Sequence, residues 1–284
     1  MSDDRLIPTP APADRPSFKI KVGGTEISAQ YQVQALIVER SFNRVASAEL
    51  RVLDGDPAAQ DFKVSNSDDF KPGNDIEILA GYHGNEQSIF KGIIIRHGLR
   101  VWQKRPSLLG VECRDKAVKL TVGRKSAYFY DVADSDVIEQ ISQAAGLKTD
   151  VSSTNVSHPQ MVQFYSTDWD FIVTRAEANG LLVATIDGKL VVKAPNGSGT
   201  PVLSLAYGKN LLDFEALIDA RDQFASVQSS SWDPANQQMV EIEGVDPSAV
   251  SPGNLSTSDL SSVIGLDPLK IKHAGQVKDS ELQA

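Results

Sequence analysis

The sequence predicts a mainly β protein with an α+β insert. Three observations carry this. Short apolar–polar alternations recur over residues 17–114, separated by turn residues. Two stretches of helical period follow, ending at Gly146 and Gly180, and further alternating runs occupy 202–243. Alternation with period two marks a half-buried strand, and recurrence at i, i+3 and i+4 marks a helix face. Six or more short strands in succession favour a barrel or sandwich over a parallel βαβ sheet.

Phe18, Ile20 and Val22 alternate with Lys19 and Lys21, and Gly23-Gly24 turns the chain. Runs at 34–42 and 46–53 follow, and in the latter Ala48, Leu50 and Val52 alternate with Glu49 and Arg51. Asp54-Gly55-Asp56-Pro57 and Pro72-Gly73 are turns. Ile76, Ile78 and Ala80 line one face of the next run, and His83-Gly84-Asn85 leads into a long run at 88–102, then 107–114.

The first helix begins at Asp134-Ser135-Asp136, with acids at the positive end of the helix dipole. Val137, Ile138, Ile141, Ala144 and Ala145 form its stripe, and Gly146 supplies a left-handed stop. The second begins at Thr167-Asp168-Trp169-Asp170, which reads as a capping box with Asp in the Glu/Gln place. Phe171, Ile172 and Ala176 form its stripe, and Asn179-Gly180 ends it. Asp187-Gly188 between runs at 181–186 and 189–193 predicts a hairpin with a type I′ turn. Strand-like runs then occupy 202–207, 211–220, 225–232 and 239–243. Ser, Pro, Gly and Asn dominate 245–268, which reads as a flexible insertion. Residues 269–273 suggest a short strand. Residues 279–284 read as a capped helix start of one turn, too short to hold alone, so the natural chain is expected to continue.

Composition excludes several classes. The chain of 284 residues carries 28 Lys and Arg against 37 Asp and Glu, a net charge of −9. An acidic chain lacks the basic face that displaces counterions from nucleic acid, and it is not drawn to anionic lipid. No apolar run approaches a membrane span, and residues 1–16 lack the apolar segment of a secretory signal. The single cysteine, Cys113, fits a reducing compartment and alternates with Val111 as a small core residue.

A search for chemistry returns little. His83, His97, His158 and His273 lack zinc-site spacing, and no cofactor or metal is expected. Gly123-Arg124-Lys125-Ser126 resembles the end of a phosphate loop, but Val118 stands where the first Gly belongs. Gly197-Ser198-Gly199 reads as a loop. Asp168 and Asp170 invite a paired-carboxylate hydrolase, yet residues two apart on a helix point to different sides, and N-terminal capping accounts for both. Asp54, Asp56, Asp68 and Asp69 read as solvated turn acids, because the calcium-loop pattern is missing. Lys104-Arg105 and Arg124-Lys125 read as solvated loops. Trp102, Trp169 and Trp232 are candidates for sugar stacking, with helix packing the better reading for Trp169.

One stretch carries more than these motifs. Gln163-Phe164-Tyr165-Ser166-Thr167-Asp168-Trp169-Asp170-Phe171-Ile172, followed by Arg175-Ala176-Glu177-Ala178-Asn179-Gly180-Leu181, resembles the signature of the VgrG and phage late-control-protein-D family. Tyr165, Asp168, Trp169, Asp170, Phe171, Gly180 and Leu181 match it. Phe70-Lys71-Pro72-Gly73 to Gly81-Tyr82-His83-Gly84, and Phe90-Lys91-Gly92-Ile93-Ile94, resemble two of that family's strands, and 279–284 resembles the start of one of its helices. The resemblance spans about 17–284. Thr174 departs from it, and the spike region of the family is absent.

The resemblance implies two tube-like β-barrel domains with small helices between them, and a homotrimer whose six barrels form a pseudo-sixfold ring. That ring would be a structural hub in a contractile injection system (a phage tail, type VI secretion or a tailocin-like particle), joining inner tube to spike. Expected partners are the inner tube protein, baseplate proteins and a spike tip protein, with no nucleic acid and no membrane span. Assembly is expected in the bacterial cytoplasm. No residue is assigned a catalytic role, and the chain is expected not to be an enzyme. The organisation then reads as a flexible arm (1–16), a first barrel (17–125), a helix-containing connector with a hairpin (126–200), second-barrel strands (201–244), a flexible insertion (245–268) and a truncated helical segment (269–284). The alternative reading is a glycan-binding or adhesin-like tail module.

Overall fold

The computed structural model describes residues 15–196, 200–211, 213–234, 236–244, 255–273 and Leu282. Most of the expected N-terminal arm, the Gly197-Ser198-Gly199 loop and most of the expected terminal helix lie outside them. Pro16, placed in the arm by composition, already belongs to a strand.

The first unit is one antiparallel sheet. Its strands are β1 (Pro16–Val22), β2 (Thr25–Glu26), β3 (Val33–Glu39), β4 (Ser47–Leu53), β5 (Asp75–Tyr82), β6 (Asn85–Arg100) and β7 (Leu108–Arg114), in the order β2-β1-β5-β6-β7-β4-β3. The alternation read from the sequence sets its inner face. Ile20, Leu50, Val52, Ile78, Phe90, Leu109, Val111 and Cys113 are all buried in one cluster. Val64 and Phe70, from the long connection after β4, join that cluster and help cover the sheet. Among the described residues no sheet closes on itself. The expected barrel is therefore an open sheet in the single chain, because the short β2 and the outer side of β3 find no ladder partner there.

A close approach explains Gly92. A Cβ at this position would sit 2.2 Å from the carbonyl oxygen of Arg114, where β6 crosses the end of β7. Only glycine lets the two backbones meet there.

The second unit begins with a 3-10 helix (Lys116–Thr121) and continues through β8 (Lys125–Ala133), α1 (Asp134–Ala144), β9 (Lys148–Val151), β10 (Ser157–Ser166), α2 (Asp168–Glu177), β11 (Leu182–Ile186) and β12 (Lys189–Lys193). β8 and β10 form an antiparallel ribbon, and β9 runs parallel to β12 beside the β11–β12 hairpin. The hairpin turn is type I′ as predicted, with Asp187 at φ 53° and Gly188 at φ 80°. Both helices bury most of their predicted stripes in one core with Leu190 and Val192, while Ala144 stays exposed. Each ends in a Schellman motif. Leu147 N–H donates to Ser142 O and Gly146 N–H to Gln143 O; Leu181 N–H donates to Ala176 O and Gly180 N–H to Glu177 O. The two leucines after the glycines enter the core.

The β3–β4 connection locks the two units together. The expected strand over 34–42 stops at Glu39, and Asn43 adopts φ 56°. Its N–H donates to Val183 O at 2.7 Å, and its side-chain oxygen accepts from Val183 N–H at 2.9 Å. Thr185 Oγ1 accepts from Ala46 N–H nearby. Asp115 makes a second clasp, accepting from Ala117 N–H and Gly188 N–H. Burial pushes the Asp115 carboxyl up, and those two backbone donors oppose it only in part.

The remaining residues depart most from expectation. β13 (Val227–Asp233), β14 (Gln238–Glu243) and β15 (Leu269–His273) form a sheet in the order β14-β13-β15. The strands expected at 202–207 and 211–220 form no ladder, with Tyr207 and Leu211 joined by an isolated bridge. A strand needs a partner, and among the described residues these runs have none beyond that bridge. Within the expected flexible insertion lies α3 (Thr257–Ile264). Ser256 and Asp259 form a reciprocal capping box, and Gly265 supplies the αL stop. The signal was legible as Ser-x-x-Asp before Leu260, Val263 and Ile264, but serine-rich surroundings masked it.

Candidate functional site

The family-like segment is a hydrogen-bonded brace rather than a row of reactive groups. β10 bulges between Gln163 and Ser166, and Tyr165 takes φ 41° there. The bulge turns the Gln163 side chain inward. That buried amide donates to Ser166 O at 3.2 Å and to Asp168 Oδ1 at 3.0 Å. Asp168 Oδ2 pairs with Lys125 Nζ from β8. Thr167 caps α2, its Oγ1 accepting from Asp170 N–H at 3.0 Å. Only this half of the predicted capping box forms, and Asp168 braces the strand instead of capping. The carboxylates diverge, Asp168 buried and Asp170 exposed. Trp169 packs in the core, and Phe171 stacks on Phe129 with centroids 6.1 Å apart.

Below this brace lies a buried polar cluster that sequence reading missed. Asp134 is 1% exposed and accepts from Arg175, Asn179 and His158. Burial pushes its carboxyl up, but hydrogen bonds from Arg175 and Asn179, the Arg175 charge and the His158 contact outweigh that, and the net shift is downward. Asp134 and Arg175 are 41 residues apart, and no local pattern links them.

The other candidates have structural partners. Asp54, expected to be solvated, is buried and accepts from Gly55, Val64 and Ser65 N–H groups, fixing the start of the long loop. Asp56 caps the next turn, Asp68 pairs with Lys71, and Asp69 accepts from Tyr31 Oη. Arg124 and Lys125 are not free loop cations. Arg124 lies 5.6 Å from the Tyr165 ring centroid and donates to Tyr165 O. His97 contacts Phe70 O. Among the described residues no group of three His, Cys, Asp or Glu could hold a metal ion. No helix among them is long and apolar enough to cross a membrane.

Two apolar surfaces remain uncovered. The outer face of the β8–β10 ribbon presents Tyr128, Tyr130, Val162 and Phe164, with Tyr128 opposite Val162 in register. Phe164 is 81% exposed. The segment after residue 200, which forms no ladder among the described residues, exposes Val202, Leu203, Leu205, Phe214, Leu217 and Ile218, with Leu217 at 87%. Large apolar side chains exposed in this way mark surfaces that something covers.

The architecture is that of phage tail proteins. The tail protein from Neisseria meningitidis MC58 superposes with a TM-score of 0.61 at 15% identity, over 94% of this chain and 73% of that one. The 43 kDa tail protein of prophage MuSo2 from Shewanella oneidensis gives 0.60 at 14% identity, over 93% and 74%. The Francisella PdpA–VgrG complex gives 0.51 at 13% identity, over 94% of this chain and 41% of that one. The resemblance read from the sequence thus holds at the level of the tail-protein fold. The family model described as the Alg8 N-terminal domain matches residues 12–284, and the chain belongs to that family. No curated protein matches it.

Proposed function

We propose that the chain is a structural hub subunit of a contractile injection system, assembling as a homotrimeric, pseudo-sixfold ring between inner tube and spike. The observation that carries this reading is the exposed apolar segment around 202–207 and 213–218, which has strand-like alternation but no ladder partner among the described residues. A neighbouring copy supplies what the single chain lacks, since an unpaired edge is a template for another strand. The β8–β10 face is a second, different patch, and unlike patches on one chain make head-to-tail contacts, which form rings where the rotation closes. The tail-protein fold supports placement in a phage-tail, type VI or tailocin-like particle assembled in the bacterial cytoplasm, with tube, baseplate and spike tip proteins as partners. The likeness to VgrG favours the spike end of the tube. The hub has no catalytic task of its own and acts by shape.

Light scattering across a concentration series, with negative-stain imaging, tests the reading. Three chain masses and threefold rings are the expected result. A protein that stays monomeric and never copurifies with coexpressed tube or spike proteins overturns it.

A further inference from the structure

The three tryptophans have separate fates. Trp169 is 8% exposed in the second core, Trp232 is 46% exposed on β13, and Trp102 is 39% exposed just past the end of β6. Trp102 lines two grooves. One groove, about 1100 Å³, lies between the loop over 54–63 and the β6–β7 tip, with Gln30 and Gln32 in its lining. The other, about 690 Å³, follows the outer face of β4, β6 and β7. There Gly98 and Gly110 pair across the ladder, leaving a trough free of side chains.

Some polar groups around this ring are unengaged, whereas Glu49, Arg51, Arg96, Glu112 and Arg114 of the second groove are ion-paired. The side chains of Gln30, Gln32, Gln103 and Arg105 in one groove, and Arg100 in the other, make no hydrogen bond or ion pair with the described residues. An indole face offers flat apolar area on which the C–H face of a sugar ring packs. Amides both donate and accept, as sugar hydroxyls require, and guanidinium adds fixed donors. Two open grooves meeting at one aromatic ring suit a chain of sugars rather than a single one. Charge favours an uncharged chain. Asp54, Asp56 and Asp61 face Lys63 and Arg105 in the first groove, and Glu39, Glu49 and Glu112 face Arg51, Arg96, Arg100 and Arg114 in the second, so acids and bases balance over the two together.

We propose that Trp102 is the centre of a groove that binds an uncharged oligosaccharide chain. This goes beyond the hub reading and holds whether or not the chain forms a ring.

The test uses the whole chain carrying Trp232→Phe, so that the exposed indole signal comes from Trp102. It is titrated with cellohexaose, chitohexaose and maltohexaose, with polygalacturonate as the charged probe. At least one neutral oligomer should change the emission saturably. By calorimetry, Trp102→Ala should weaken that binding about tenfold or more, equivalent to about 1.4 kcal/mol. Trp102→Phe should stay within about threefold, since a flat ring remains. Gln103→Ala, on the surface, should weaken binding without changing the melting temperature. Failure of all three neutral oligomers to bind, undiminished binding in Trp102→Ala, or tighter binding of polygalacturonate overturns the proposal.

Discussion

Arg175, in the last turn of α2, donates to both carboxylate oxygens of Asp134, the first residue of α1. This pair ties the start of one helix to the end of the other, with His158 of β10 beside it. Removing the cation leaves a carboxylate buried with weaker partners. Arg175→Met should therefore cost about 3 kcal/mol, read by urea denaturation, despite keeping the apolar stem. Fluorescence-detected unfolding at unchanged midpoint would rule this out.

The same pair sets an acid limit. The Asp134 carboxyl ionises at lower pH in the folded chain than in the unfolded one. Its stabilising contribution is then complete above the unfolded value and is lost as pH falls through the folded one. The stability gap between wild type and Asp134→Asn should start to narrow as pH falls below about 4 and go on narrowing with further acid. A gap that widens with acid would contradict the assignment.

Gly92→Ala places a methyl group against the Arg114 carbonyl oxygen, at a distance no real side chain shows. The strands must separate locally, at about 2–3 kcal/mol. The melting temperature should fall, whereas Gly23→Ala, in open space, should pay only for its left-handed backbone.

Cys113 is fully buried, and burial together with neighbouring Glu112 pushes its thiol up to about 12. A thiol-specific reagent at pH 8 should react with the unfolded chain and scarcely with the folded one. Prompt labelling of the native protein would mean that β7 opens readily.

Leu217→Glu probes the uncovered segment. The side chain is exposed in the single chain, so monomer stability should change by no more than about 0.5 kcal/mol. Assembly should fail, with light scattering reporting only monomer.

How legible each feature was depended on the distance between its parts. Gly146, Gly180 and Asp187-Gly188 could be read directly because each needs only neighbours within a few residues. The alternation at 46–53 and 107–114 gave correct strands because both found partners in the first sheet. The run at 211–220 did not, since among the described residues it forms no ladder and Leu211 makes an isolated bridge with Tyr207. The signature segment was visible as a pattern, but the roles of its residues were not. Asp168 read as a cap because Thr167 and Asp170 flank it, and only the β10 bulge shows it bracing Gln163 and Lys125.

By itself, the sequence determined the mainly β character, the two core helices with their stops, the hairpin turn and the burial of Cys113 and Trp169. These follow from period, capping and side-chain volume, which act over one or two turns of chain. Tertiary structure alone decided that the first sheet stays open in the single chain, that Asn43 clasps the second unit, and that Asp134 meets Arg175. Ladder closure and buried charge pairing join residues far apart in sequence, and their energies depend on which surfaces the fold brings within hydrogen-bonding distance.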